Sequence, residues 1–382
     1  MALTKRRKSF LLLGLLFIVL GIYLSWAASQ DKLNLPYRIV PHTSGTPTDP
    51  GDILFIGDTQ VLSWQNVVSP LQEKLSYKLR TPLRLTFRGL ENGGIHRVIA
   101  YLQELLQTPQ LARPQMVVYA LGRHELQEYK MRTVMLHRIK HQLARESDPL
   151  WSTVLQLLPF LRPWIINPGE PIILDELRPW PEIEEGEELL YREVATTLFH
   201  KELAILASLV KQAKIKFVVL TAPLNLAQVP AVWPSATSVT LQKVQQQISS
   251  YLQQGQFKVA AQLIQPLLAL PGNARTWYEQ GRIQQQMNDF EQAMQAWRTA
   301  VSLNADRDEA LPTYNIIAQQ SANDLNFALY DLQAPAENYF WALYQNNSPD
   351  LLAWAANFPG KDFYQAQAAE LGTFLQQTLL RP

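Results

Sequence analysis

The segment Gly57-Asp58-Thr59-Gln60 places an acid and a hydroxyl directly after the apolar run Ile53–Ile56. A hydroxyl on a strand-to-helix elbow is where an α/β hydrolase keeps its nucleophile. The glycine permits a tight turn, and the helix that follows offers backbone N–H groups to an anion. Gly89-Leu90-Glu91-Asn92-Gly93-Gly94 follows a second apolar run, Leu83–Phe87. Glycines there let backbone donors approach a developing oxyanion, although a plain Gly-rich turn has the same pattern. Gly122-Arg123-His124-Glu125 follows a third run, Met116–Leu121. His124 is a candidate base on that edge; held by Glu125, it is a structural polar residue instead. His137 and His141 are four apart on an expected helix, a spacing used by metal sites. No nearby acid or third ligand completes the set in the sequence, so a solvated face is expected, and no metal or cofactor.

These segments need a scaffold that brings strand ends together. Five short apolar runs read as buried parallel strands: Ile53–Ile56, Leu83–Phe87, Met116–Leu121, Phe217–Leu220 and Phe327–Tyr330. Helical periodicity separates them over Val61–Leu79, Ile95–Leu106 and Glu188–Gln212. The expected fold class is α/β, a flavodoxin-like parallel sheet with helices on both faces. Ligands of such sheets sit beyond the carboxyl ends of the strands, which is where all three polar segments fall.

The three blocks, ILFIGDTQ, FRGLENGGIHRVIAYL and MVVYALGRHEL, resemble in order and spacing the SGNH/GDSL hydrolase superfamily. The likeness extends over most of residues 52–125 and 215–380. That family carries a Gly-Asp-Ser turn, then an oxyanion glycine, then a Gly-x-Asn-Asp/Glu turn. The resemblance puts Asp58 and Thr59 in the first block, Gly94 at the oxyanion glycine and His124 at the asparagine. The family's last block, Asp-x-x-His, precedes a glycine by five residues. Counting back from Gly372, in a stretch expected to precede the last helix, gives Tyr364 and Gln367. Thr59 thus stands in place of serine, and its extra methyl and stiff χ1 hinder attack. Glutamine is no general base, and the chain has no histidine after His200. The resemblance implies a catalytically impaired protein that binds a ligand or partner in a cell-envelope process, and suggests acyl groups or polysaccharide as the ligand. An active esterase or acyltransferase using Thr59, and a pure interaction scaffold, are the alternatives.

Residues 240–305 carry a different pattern. Gly255, Phe257, Ala260 and Leu268 recur 33 residues later as Asn288, Phe290, Ala293 and Val301. The spacing resembles the tetratricopeptide repeat (TPR), with an ordinary helical hairpin as the alternative. Fewer than three repeats are visible, so this insert must lean on the main domain or on a protein partner.

The first residues suggest where the protein resides. Lys5, Arg6, Arg7 and Lys8 precede an uncharged run from Phe10 to Ala28. At ~1.5 Å per helical residue such a run approaches the ~30 Å hydrocarbon core of a membrane. The basic flank belongs in the cytoplasm and the body outside it. A cleaved signal peptide, ordinarily with an apolar stretch of ~7–15 residues, is the alternative, and a buried core helix the third. The division is an anchor over 1–29, a proline-containing linker over 30–51, the α/β domain over 52–239 and 306–382, and the insert over 240–305. Residues 149–186 hold seven prolines and are expected to form a helix and an irregular excursion. The 34 basic and 33 acidic residues leave a net charge of +1, which argues against nucleic acid as a partner. With no cysteine, disulfides, thiol nucleophiles and cysteine-bound metals are excluded.

Overall fold

The structure is a computed structural model that describes residues 37–39, 47–79, 83–90, 93–122, 125, 133–147, 172–174, 187–227, 239–270, 274–303, 312–346 and 359–381. The run Phe10–Ala28, His124 and most of 149–186 lie outside these residues. Among the described residues, no helix is long and apolar enough to cross a membrane. The chain divides into two units, one of residues 1–40 and 130–194, the other of 41–129 and 195–382.

The smaller unit contains strand β1 (Tyr37–Ile39), paired in parallel with β5 (Ile172–Leu174), and helix α3 (Thr133–Ser147). His137 and Lys140 of α3 meet Glu187 and Glu193 at 2.8 Å each. The acidic neighbour not foreseen for His137 is therefore Glu187. Among the described residues, no group of three or more acidic or histidine side chains is placed to hold a metal ion.

The larger unit is built on five parallel strands: β2 (Ile53–Asp58), β3 (Leu85–Leu90), β4 (Met116–Ala120), β6 (Lys216–Leu220) and β7 (Ala328–Tyr330). They lie in the order β3-β2-β4-β6-β7. Counted along the chain this is 2-1-3-4-5, the order of flavodoxin-like sheets, and the chain reverses direction across the sheet between β2 and β4. Ile53, Leu54, Phe55 and Ile56 are all fully buried, as are Met116 to Tyr119. Burial on both faces removes any need for polar alternation, which is why these strands read as continuous apolar runs.

Helices α1 (Val68–Leu79), α2 (Ile95–Gln107), α4 (Glu188–Gln212, of which the residues up to Val194 belong to the smaller unit), α9 (Pro312–Leu325), α10 (Gln333–Gln345) and α11 (Lys361–Leu380) accompany the strands. The helix expected over Val61–Leu79 is divided. Thr59–Val67 is 3-10, and the α-helix begins at Val68. Pro70 explains the division, since it has no N–H to give a carbonyl four residues back. Between α4 and α9 the insert forms four helices: α5 (Val239–Gln253), α6 (Phe257–Leu268), α7 (Ala274–Gln286) and α8 (Phe290–Leu303). The 33-residue offset has a backbone counterpart. Gly255 and Asn288 both adopt left-handed φ, of 72° and 61°, just before α6 and α8. Ala260 and Ala293, at matching places in those helices, are fully buried.

Candidate functional site

Gly57 at the end of β2 lies so close to β4 that a side chain there would overlap the carbonyl oxygen of Ala120. Gly122, just beyond β4, lies equally close to the Asp58 carboxylate. The two glycines let the first and third polar segments converge where the sheet reverses direction, the usual place for a ligand in this topology. Asp58 is buried at 2% exposure, and its Oδ1 accepts the backbone N–H of Gln60 at 2.8 Å. It thereby caps the 3-10 segment and fixes the elbow. Thr59, next in sequence, is exposed. The hydroxyl is thus presented to solvent from a turn held by the acid beneath it. No described residue hydrogen-bonds that hydroxyl.

Gly94 is the N-cap of α2, buried and in extended backbone with no side chain to cap the helix. The cap is supplied from the third segment. Glu125 is fully buried, and its Oε2 accepts the N–H of Ile95 at 2.9 Å. Its Oε1 accepts the Tyr119 hydroxyl at 2.6 Å and, more distantly, the N–H of Gly122 at 3.5 Å. Burial pushes the carboxyl up to about 8, and the nearby Asp58 adds to the rise, while the three donors act against it. One side chain therefore ties β4, the turn after it and the start of α2 together. The next residue of α2, His96, pairs through Nδ1 with Glu202 of α4, both buried. Neither the Glu125 cap nor the His96–Glu202 pair was foreseen, because each joins elements distant in sequence.

The last block is displaced from its expected setting. Phe363 to Gly372 does not precede the last helix; it lies inside α11, which begins at Lys361 behind the N-cap Gly360. Gly372 is no turn. A Cβ there would lie 2.9 Å from Lys74 Cβ and 3.0 Å from the Leu71 carbonyl oxygen, so the glycine lets α11 pack closely on α1. Gln376, one turn on, donates through Nε2 to the carbonyls of Lys74 and Leu75 at 2.8 and 3.2 Å. Tyr364 is buried, with its ring edge-on to Trp64 at 4.9 Å. Its hydroxyl accepts Gln60 Nε2 at 2.9 Å, and burial raises its pKa far above the usual tyrosine range. The start of the last helix thus does abut the elbow, through Gln60 rather than Thr59. Gln367 is turned to another partner: its Oε1 accepts the Tyr330 hydroxyl at 3.2 Å.

The geometry therefore joins Asp58, Thr59 and Gly94 on the carboxyl edge of the sheet and commits Gln367 elsewhere, while His124 lies outside the described residues. A buried acid, an exposed hydroxyl and a glycine at a helix start can position a ligand oxygen. They do not by themselves take a proton from the hydroxyl. No family model, no curated protein and no solved structure matches this chain.

Proposed function

We propose that the chain is an extracytoplasmic, membrane-anchored protein of SGNH/GDSL-hydrolase type that binds a ligand at the Asp58–Thr59 elbow without hydrolysing it. The observation that carries this reading is the state of Gln367. It occupies the place the resemblance gives to the base, its amide oxygen is engaged by Tyr330, and an amide has no basic nitrogen in any case. An alcohol-like hydroxyl without a base is a poor nucleophile. The order of blocks along the sequence and their convergence on one sheet edge support the family assignment. An acyl or polysaccharide ligand in a cell-envelope process rests on the resemblance alone.

The test uses the full-length chain in detergent, beside Thr59→Ala, with p-nitrophenyl acetate as substrate. Neither protein is expected to exceed the buffer rate. Robust wild-type turnover abolished by Thr59→Ala would overturn the proposal in favour of an active esterase. Thermal denaturation with an acetylated oligosaccharide completes the experiment: a rise in Tm for the wild type, reduced by Thr59→Ala, is the signature of binding at the elbow.

A further inference from the structure

The insert does not stand alone, and the manner of its attachment links it to the carboxyl edge of the sheet. Trp297 of α8 meets Phe340 of α10 edge-on at 5.9 Å, and Phe290 of α8 meets Trp341 at 4.9 Å. Next to the Trp297–Phe340 pair runs a polar chain. Arg298 of α8 grips Glu337 of α10 with two nitrogens, Nε at 3.1 Å from Oε1 and a terminal nitrogen on Oε2. Glu337 is 6% exposed. Its Oε1 also accepts Gln333 Nε2 at 2.9 Å. The other end of that amide, Gln333 Oε1, accepts the backbone N–H of Leu224 at 2.8 Å. Leu224 lies in the segment that leaves the carboxyl end of β6, on the same edge as Asp58 and Gly122. The first residue of that segment, Thr221, is tied to the same helix start: its hydroxyl accepts the N–H groups of Leu332 and Gln333 at 2.7 and 3.2 Å.

We propose that Glu337 is a positioning residue through which the helical insert sets the conformation of segment 221–227, so that a load on the insert is felt at the carboxyl edge of the sheet. The physical reason is the cost of an unpaired buried charge. With Arg298 in place, the carboxylate holds both oxygens fixed and presents Oε1 to Gln333. Without Arg298 the buried carboxylate loses its cationic partner and must turn towards solvent, which releases Gln333 Nε2. A free amide then swings, and the Leu224 N–H loses its acceptor. The chain is contiguous and each link is a hydrogen bond, so the coupling has a defined path that substitutions can interrupt. It holds whether or not the elbow is catalytic.

The test is amide hydrogen exchange by mass spectrometry on the full-length chain in detergent, comparing peptides over 221–227 with those over β4. Arg298→Ala and Gln333→Ala are each expected to speed exchange in 221–227 several-fold, with β4 unchanged. In the Gln333→Ala background, Arg298→Ala is expected to add nothing, because the path is already cut. Arg282→Ala breaks an ion pair internal to the insert, Arg282–Glu279, and is expected to leave 221–227 as in the wild type. Should Arg298→Ala fail to fold, Arg298→Lys keeps the charge but loses the fork and gives a smaller effect in the same direction. Unchanged protection of 221–227 in a folded Arg298 variant overturns the proposal. So does a full additional effect in the double variant, or equal acceleration in β4.

Discussion

The hydroxyl of Tyr119, the last but one residue of β4, donates to the Glu125 carboxyl at 2.6 Å, and neither group is exposed to solvent. The contact closes the turn beyond β4 on itself and lets the opposite carboxyl oxygen reach Ile95 in another helix. Burial raises the folded pKa from 4.5 to about 8, so the folded protein holds a proton that the unfolded chain releases above about 4.5. The contribution is therefore fully present at acid pH and is lost as pH rises towards 8. Glu125→Gln keeps an acceptor for Ile95 and does not titrate. The stability of the wild type relative to Glu125→Gln should fall with pH across that window, with a limiting slope of about 1.4 kcal/mol per pH unit. Denaturant unfolding of both proteins between pH 5 and pH 8 measures it, and a flat difference would show that Glu125 titrates normally.

Two glycines of the insert are required for different reasons, and their variants should separate. Gly281 of α7 lies against the Trp297 indole, which an added Cβ would overlap. Gly281→Ala is expected to cost ~1–3 kcal/mol through overpacking, seen as a lower Tm and altered tryptophan emission. Gly255 has open space around it and is needed for its φ of 72°. Asparagine tolerates that region and already occupies it at Asn288. Gly255→Asn should therefore leave Tm nearly unchanged. Equal losses at the two positions would contradict this division.

Much of the sheet was legible because strands buried on both faces become unbroken apolar runs. The exception is β3, expected over Leu83–Phe87 and found over Leu85–Leu90. It is an edge strand and carries Arg88, whose charge hides the strand from an apolar reading. In the fold the Arg88 guanidinium lies 5.5 Å from the Tyr101 ring centre, so the charge is accommodated. The site was legible only where chemistry is local. Asp58 caps the elbow two residues away, within one motif. Gln60 and Tyr364 are 304 residues apart, and no periodicity links them. Gly372 misled for a related reason: a glycine can mark a turn or a close helix crossing, and only the partner helix decides which.

The absence of cysteine makes the expected topology directly testable. The basic residues before Phe10 should stay in the cytoplasm and the body should face outward. Tyr77 is 82% exposed, so Tyr77→Cys offers a reporter on the body. Ala2→Cys offers one on the other side of the apolar run. In intact cells a membrane-impermeant maleimide should label Tyr77→Cys, and Ala2→Cys only after lysis. The reverse pattern would invert the orientation. Labelling of Tyr77→Cys in the culture medium, on a shortened chain, would establish cleavage instead of anchoring.

Restoring a hydrolase triad by analogy should fail, and the structure says at which position. The combination Thr59→Ser, Tyr364→Asp and Gln367→His follows from counting back five and eight residues from Gly372. Tyr364, however, is 1% exposed, packs edge-on against Trp64 and holds Gln60 through its hydroxyl. An aspartate there removes the ring, leaves a cavity beside Trp64 and buries a carboxyl without a cationic partner among the described contacts. Loss of a buried aromatic alone costs ~3–5 kcal/mol, a large share of a domain's stability. Tyr364→Asp should therefore unfold at a much lower temperature than Tyr364→Phe, which loses only the hydroxyl's hydrogen bonds to Gln60 and Ser63, each worth about 1 kcal/mol. Gln367→His with Thr59→Ser keeps that packing and should melt close to the wild type. It should still lack esterase activity, since no carboxylate is in place to orient the new imidazole. Scanning calorimetry and p-nitrophenyl acetate hydrolysis decide both points. Turnover by the triple variant at wild-type stability would show that Tyr364 is free to change and that the catalytic geometry survives beneath the substitutions.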